Sequence, residues 1–278
     1  MTSSRTIIIT GASDGIGAAA ARRLRSRGEN VVVVGRSPQK TAEIAAALGV
    51  PYHLADFADL AQVRRLAGEL NDAYPRIDVL ANNVGQNFRH LTTGDGFEMS
   101  MQVNHLAPFL LTTLLLPRLL ASKATLVQTS SEASRIFGKL DLDDLNNERK
   151  WTADKAYGDS KIANILFTKE LHRRYYAQGL NAVSFHPDTV ATNMGHDTSS
   201  PTRFLWQTRL GRLFLAQPDS GGQRLTWFID GSPGVDWQPG EYYVVDKLPS
   251  KTNPQIFDAR LAQELWTLSE TLVATANR

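Results

Sequence analysis

TIIITGASDGIGAAAARRL, residues 6–24, reads in three parts. Residues 6–9 are β-branched and apolar, as a strand buried on both faces of a parallel sheet must be. Residues 18–24 form a helical pattern. Between them Gly11, Gly15 and Gly17 remove side chains where the chain has to turn and approach a ligand. A strand, a glycine turn and a helix N-terminus, in that order, make a pyrophosphate cradle: bare backbone comes close to the phosphates and the helix end meets their charge. Ser13, Asp14 and Ile16, interleaved with the glycines, are candidate cofactor contacts on the same turn.

The first strand is followed by six more apolar runs, at 31–34, 52–54, 79–81, 125–128, 182–185 and 242–245, with helical patterns between most of them. Such alternation predicts an α/β fold: a single-domain, Rossmann-type, doubly wound parallel sheet of about seven strands with helices on both faces, spanning residues 1–278. Ligands in these sheets bind beyond the carboxyl ends of the strands. Gly11, Gly35, Arg36, Asp56, the residues from Asn82 to Gly85, Ser130, Ser131 and Pro187 all fall there.

Composition narrows the function. Thirty Lys plus Arg against 28 Asp plus Glu give a net charge of +2, too balanced to argue for nucleic acid or an anionic membrane surface. The absence of cysteine excludes disulfides, thiolate catalysis and Cys-ligated zinc, and agrees with a cytoplasmic location. The six histidines show no metal-binding spacing and no GxSxG elbow is present, so no metal site and no serine hydrolase is expected. The first strand begins too early to leave room for a signal peptide. Residues 109–120 are strongly apolar but interrupted by Pro117 and Arg118, which predicts a buried or interface helix and no membrane span.

The chemistry sits in AYGDSKIANILF, where Tyr157 and Lys161 stand four residues apart. On a helix that spacing puts both on one face, so an ammonium can act on a phenol. Hydride transfer to a carbonyl leaves an alkoxide that must take up a proton, and Tyr157 is the candidate acid/base. Bringing a phenol from a pKa of about 10 to neutrality takes roughly 4 kcal/mol, for which Lys161 and a nicotinamide's positive charge are suitable sources. A serine of the strand-end pair, Ser130 or Ser131, can donate to the substrate oxygen.

TGASDGIG, ADF at 55–57, NNVG at 82–85, Asn104 in MQVNHLAPFLLT, TSS at 129–131, the Tyr157/Lys161 pair and HPDTVAT at 186–192 resemble the ordered motifs of the short-chain dehydrogenase/reductase family. DLNNERKW, AYGDSKIANILFTKEL and LWTLSETLV are similar to its retinol dehydrogenase and WW-domain oxidoreductase branch, which also carries an acidic insertion between the serine and the tyrosine. The resemblance implies a catalytic set of Ser131, Tyr157, Lys161 and Asn104. Ser131 takes the substrate role as the second of the paired serines, Lys161 holds the nicotinamide ribose, and Asn104 positions a water beside it. Asp56 and Phe57 fall at the adenine, Asn82, Asn83, Val84 and Gly85 line its pocket through their backbone, and Pro187, Val190 and Thr192 lie by the nicotinamide. Val84, Asp14 and Asp188 depart from the common pattern, and none removes a catalytic atom.

Cofactor choice turns on Arg36. A carboxylate after the second strand would accept from a ribose diol, whereas Gly35-Arg36 offers a guanidinium suited to a 2′-phosphate. NADP(H) is favoured and NAD(H) stays open, because Asp14 places an acid nearby. For the substrate, residues 194–217 carry Phe204, Leu205, Trp206, Leu210, Leu213 and Phe214, with Phe137 and Trp151 as additions. An apolar wall suits a lipophilic ketone, aldehyde or alcohol; core or oligomer contacts are the alternative. His105 and His186 are expected to pack and hydrogen-bond. Residues 96–120 and 154–176 form the dimer face of many relatives and leave a homodimer open. The expected function is an NADP(H)-dependent oxidoreductase. A nucleotide-sensing binding protein without turnover and a biosynthetic reductase of a larger polycyclic substrate are the competing readings.

Overall fold

The computed structural model describes residues 4–187 and 218–276. Seven parallel strands, β1 (Thr6–Thr10), β2 (Asn30–Gly35), β3 (Tyr52–Leu54), β4 (Val79–Asn82), β5 (Thr125–Thr129), β6 (Asn181–His186) and β7 (Tyr242–Val244), form one sheet in the order 3-2-1-4-5-6-7. The chain winds outward in both directions from β1 and β4, whose paired registers (Ile7 with Val79, Ile9 with Ala81) mark the reversal of strand order. That reversal opens a crevice at the carboxyl edge. The last strand ends one residue earlier than the apolar run does, because Val245 takes a left-handed backbone (φ 63°) as the chain turns away.

The pleat sorts the core into two layers. Ile8, Val32, Leu80 and Leu126 face α3 (Leu60–Ala73), α4 (Met99–Ala121) and α6 (Ala153–Tyr175), with α8 (Ala259–Thr275) packed on that layer. Ile7, Ile9, Val31, Val33 and Val127 face α1 (Gly15–Ser26) and α7 (Pro218–Asp230). Two further helices, α2 (Pro38–Leu48) and the short α5 (Ala133–Ile136), complete the described set. Burial of β1 on both faces is why its sequence is apolar without alternation.

Helix α4 is the buried helix expected over 109–120, and it runs for 23 residues, through Pro117, to Ala121. Its neighbours α3 and α6 hold it in place, and a proline near the end of a helix costs little once tertiary packing supplies the stability. By length and composition alone it could cross a membrane, but 67% of its apolar window is buried inside the fold, as in a core helix.

His105, within α4, is packed against Phe109 and Phe167, with Nε2 2.9 Å from the Ser269 hydroxyl of α8. Burial pushes its pKa down to about 4. Between that value and the ordinary 6.5 the unfolded chain binds a proton that the folded one refuses. Stability therefore falls as pH drops from about 6.5 toward 4, by about 3 kcal/mol from this residue. Thermal unfolding of the wild type and His105→Gln at pH 7 and pH 5 checks this; the difference between the two pH values shrinks in the variant.

Candidate active site

A cleft of roughly 500 Å³ runs across the carboxyl ends of the central strands. Its walls include Gly11, Ser13, Asp14, Gly15 and Ile16 from the glycine turn, Arg36 after β2, Asp56 and Phe57 after β3, Asn83, Val84 and Gly85 after β4, and Ser131, Tyr157, Lys161 and Pro187. These candidates, separated by up to 176 positions in sequence, border one space. His186 joins them as a wall residue.

Three of the named residues are not themselves wall residues. Asn82 is fully buried at the end of β4 and its amide donates to the Thr112 hydroxyl at 2.9 Å, because alternation along the strand turns it into the α4 layer. Gly17 lies behind the wall: a Cβ there would sit 2.5 Å from the Gly11 carbonyl and 2.8 Å from the Asn83 amide nitrogen, so the residue lets α1 rest on the turn. Asn104 is likewise behind the cleft, in a π-turn spanning Gln102–Leu106. Its amide nitrogen donates to the Gln86 carbonyl (3.0 Å) and the Ser160 hydroxyl (2.9 Å), and its oxygen accepts from the Gln86 N–H (3.0 Å). Phe137 is 44% exposed, and Trp151 stacks on His90 with its indole N–H directed at Glu98. Neither lines this cleft. Val190, Thr192 and residues 194–217 lie outside the described residues.

At the far end from the tyrosine, Asp14 caps α1 and accepts from the Gly15 N–H at 2.8 Å. Its other oxygen pairs with Lys40 at 3.0 Å, and this lysine holds the carboxyl below its usual range. Lys40 and Ser37 line the cleft beside Arg36, and sequence reading missed both. The signal was present: Ser37 is the N-cap of α2 and places Lys40 on the first helical turn, facing the same opening. The acid at position 14 thus meets a neighbouring cation.

At the other end Tyr157 and Lys161 come from consecutive turns of α6, with Nζ 5.4 Å from the centre of the phenol ring. Lys161 is only 2% exposed and donates to the Thr129 carbonyl at 3.2 Å. Gly85 makes room for it, since a Cβ there would approach Nζ to 2.8 Å. The two serines separate by direction. Ser130 turns inward and donates to the Lys161 carbonyl at 2.9 Å, while Ser131 hydrogen-bonds the Tyr157 hydroxyl. Burial pushes the Tyr157 phenol up to about 12, opposed by Ser131, and pulls the Lys161 ammonium down to about 7. Burial by the protein alone therefore moves the phenol away from neutrality, so any downward shift has to come from positive charge placed beside it.

Residues 5–203 match the family model described as short chain dehydrogenase. A Streptomyces protein named for daunorubicin C-13 ketoreductase is 42% identical, the alignment covering 99% of this chain and 94% of that one. Human retinol dehydrogenase 13 is 35% identical over 97% of this chain and 84% of its own length. A crystal structure of a protein from Mycobacterium paratuberculosis superposes with a TM-score of 0.77 at 32% identity, covering 99% of this chain and 95% of the other.

Proposed function

We propose, since this chain belongs to the short-chain dehydrogenase family of NAD(P)-dependent oxidoreductases, that it interconverts a lipophilic ketone or aldehyde and its alcohol with NADP(H), using Tyr157 as acid/base. The observation that carries this reading is the meeting of Ser131, Tyr157 and Lys161 at one end of a cleft whose other end presents a glycine turn and two cations.

The residues fit a dinucleotide. Gly11 and Gly15 bring bare backbone to the cleft in left-handed conformations (φ 66° and 56°), the N-terminus of α1 opens into it, and Arg36 and Lys40 stand where a 2′-phosphate would need positive charge. The bound nicotinamide supplies or accepts the hydride. Around it, the Ser131 hydroxyl orients the substrate oxygen, and Tyr157 delivers its proton to that oxygen in reduction or removes it in oxidation. Lys161 supplies positive charge beside the phenol and a donor for the ribose. Asn104 fixes Gln86 through both main-chain groups, which keeps the strand-end loop in register with Lys161.

The substrate class rests on the relatives: one is named for a ketoreductase and one for a retinol dehydrogenase. The 42% relative lends weight to the second reading, a reductase acting on a larger polycyclic ketone. Initial rates over a panel of aliphatic, retinoid, steroid and polycyclic carbonyls and alcohols, followed at the nicotinamide absorbance with both cofactors, test the assignment. Turnover with NADPH and lipophilic carbonyls supports it. Tight nucleotide binding with no turnover across the panel would make the chain a nucleotide sensor instead.

A further inference from the structure

The segment after Ser131 cannot hold itself in place. Helix α5 is four residues long, below the length at which a helix is stable alone, and its final carbonyls have no partners within the helix. Ser134 is fully buried, so its carbonyl needs a donor from elsewhere. That donor is Asn253, 119 residues away: its amide nitrogen lies 2.9 Å from the Ser134 carbonyl and 2.9 Å from the Gly138 carbonyl. The same amide's oxygen accepts from the Gln255 N–H at 3.0 Å, which fixes the side chain's direction. Gln255 repeats the contact one step further on, donating to the Leu140 carbonyl at 2.8 Å and accepting from its N–H at 3.0 Å.

From the opposite side α6 grips the same segment. The Lys139 N–H donates to Asp159 at 2.6 Å, two residues past Tyr157, and Asp159 pairs with Lys155 at 2.5 Å. Gly158, next to Tyr157, meets Gly138 so closely that a Cβ would fall 2.7 Å from the Gly138 nitrogen. The end of α5 is therefore wedged between Asn253 and the turn of α6 that carries the phenol.

We infer that Asn253 is a positioning residue for Ser131: by capping the carbonyls of Ser134 and Gly138 it sets the distance between the Ser131 hydroxyl and Tyr157. This rests on the catalytic reading above. Asn253→Asp is the informative variant because it keeps the oxygen that caps the Gln255 turn and replaces the donor by a second acceptor facing the two carbonyls.

The test is a double-mutant cycle with Ser131→Ala, read as kcat and KM for a carbonyl substrate of the panel, alongside hydrogen exchange of residues 134–140 in the cofactor-free protein. In the wild-type background Asn253→Asp should lower kcat about tenfold with little change in KM for the cofactor, and exchange in that segment should quicken. In the Ser131→Ala background it should add no further loss, since the hydroxyl it places is gone. Equal losses in both backgrounds, or no loss in either, would overturn the inference. If Ser131→Ala itself leaves turnover unchanged, the catalytic reading fails rather than the positioning. Should Asn253→Asp not fold, Gln255→Glu enters the same cycle and is held to the same non-additivity.

Discussion

Tyr157→Phe lowers turnover on the order of 10³-fold while cofactor affinity stays close to that of the wild type. The ring's packing survives the change and only the oxygen that carries the proton is lost, so the effect falls on the chemical step. Burial holds the phenol up at about 12, so it is protonated at neutral pH, the form an acid needs. Reduction needs that protonated form, which is present below the phenol's pKa and lost above it; oxidation needs the reverse. Carbonyl reduction should therefore hold steady through neutral pH, and alcohol oxidation should rise with pH. Taking the phenol from about 12 to neutrality requires about 7 kcal/mol of differential stabilisation, more than an isolated tyrosine would need. The Lys161 ammonium, which burial holds near 7, supplies its charge only below that pH unless a bound phosphate or ribose favours the charged form. Stopped-flow single turnovers in both directions measure these profiles. Undiminished turnover in Tyr157→Phe would remove the tyrosine from the mechanism.

Arg36→Asp reverses cofactor choice. The substitution removes a guanidinium able to hold a 2′-phosphate and installs a carboxylate able to accept from a ribose diol, while repelling the phosphate. A charge-assisted hydrogen bond is worth about 1.5–3 kcal/mol, so losing one and adding repulsion should move the NADP-to-NAD affinity ratio by roughly 10²-fold or more. Lys40→Met should act in the same direction and more weakly, because Lys40 already has Asp14 as a partner 3.0 Å away. Dissociation constants of both dinucleotides, titrated against the free protein, give the ratios without reference to any substrate. A wild type that already binds NAD more tightly would show that Arg36 is an ordinary loop charge.

How much was legible beforehand depended on range. The strand, glycine turn and helix of residues 6–24 could be read because each of their periodicities is local, and β1 and α1 appear where those patterns put them. Tyr157 and Lys161 could be paired because four residues on any helix define one face. Asn82 was expected to line the adenine pocket through its backbone, and what NNVG could not tell is that strand alternation sends its side chain to Thr112.

By itself, then, the sequence determined the α/β order and the seven strands, because these follow from short-range period, and it offered candidates for binding a dinucleotide and moving a proton through side-chain chemistry and family resemblance. Only the tertiary structure decided that Ser130 turns inward to the Lys161 carbonyl, that Lys40 meets Asp14, and that Asn253 reaches across 119 residues to hold α5. Those are contacts between elements, fixed by how the helices and strand ends close around one crevice, and no spacing within a single element encodes them.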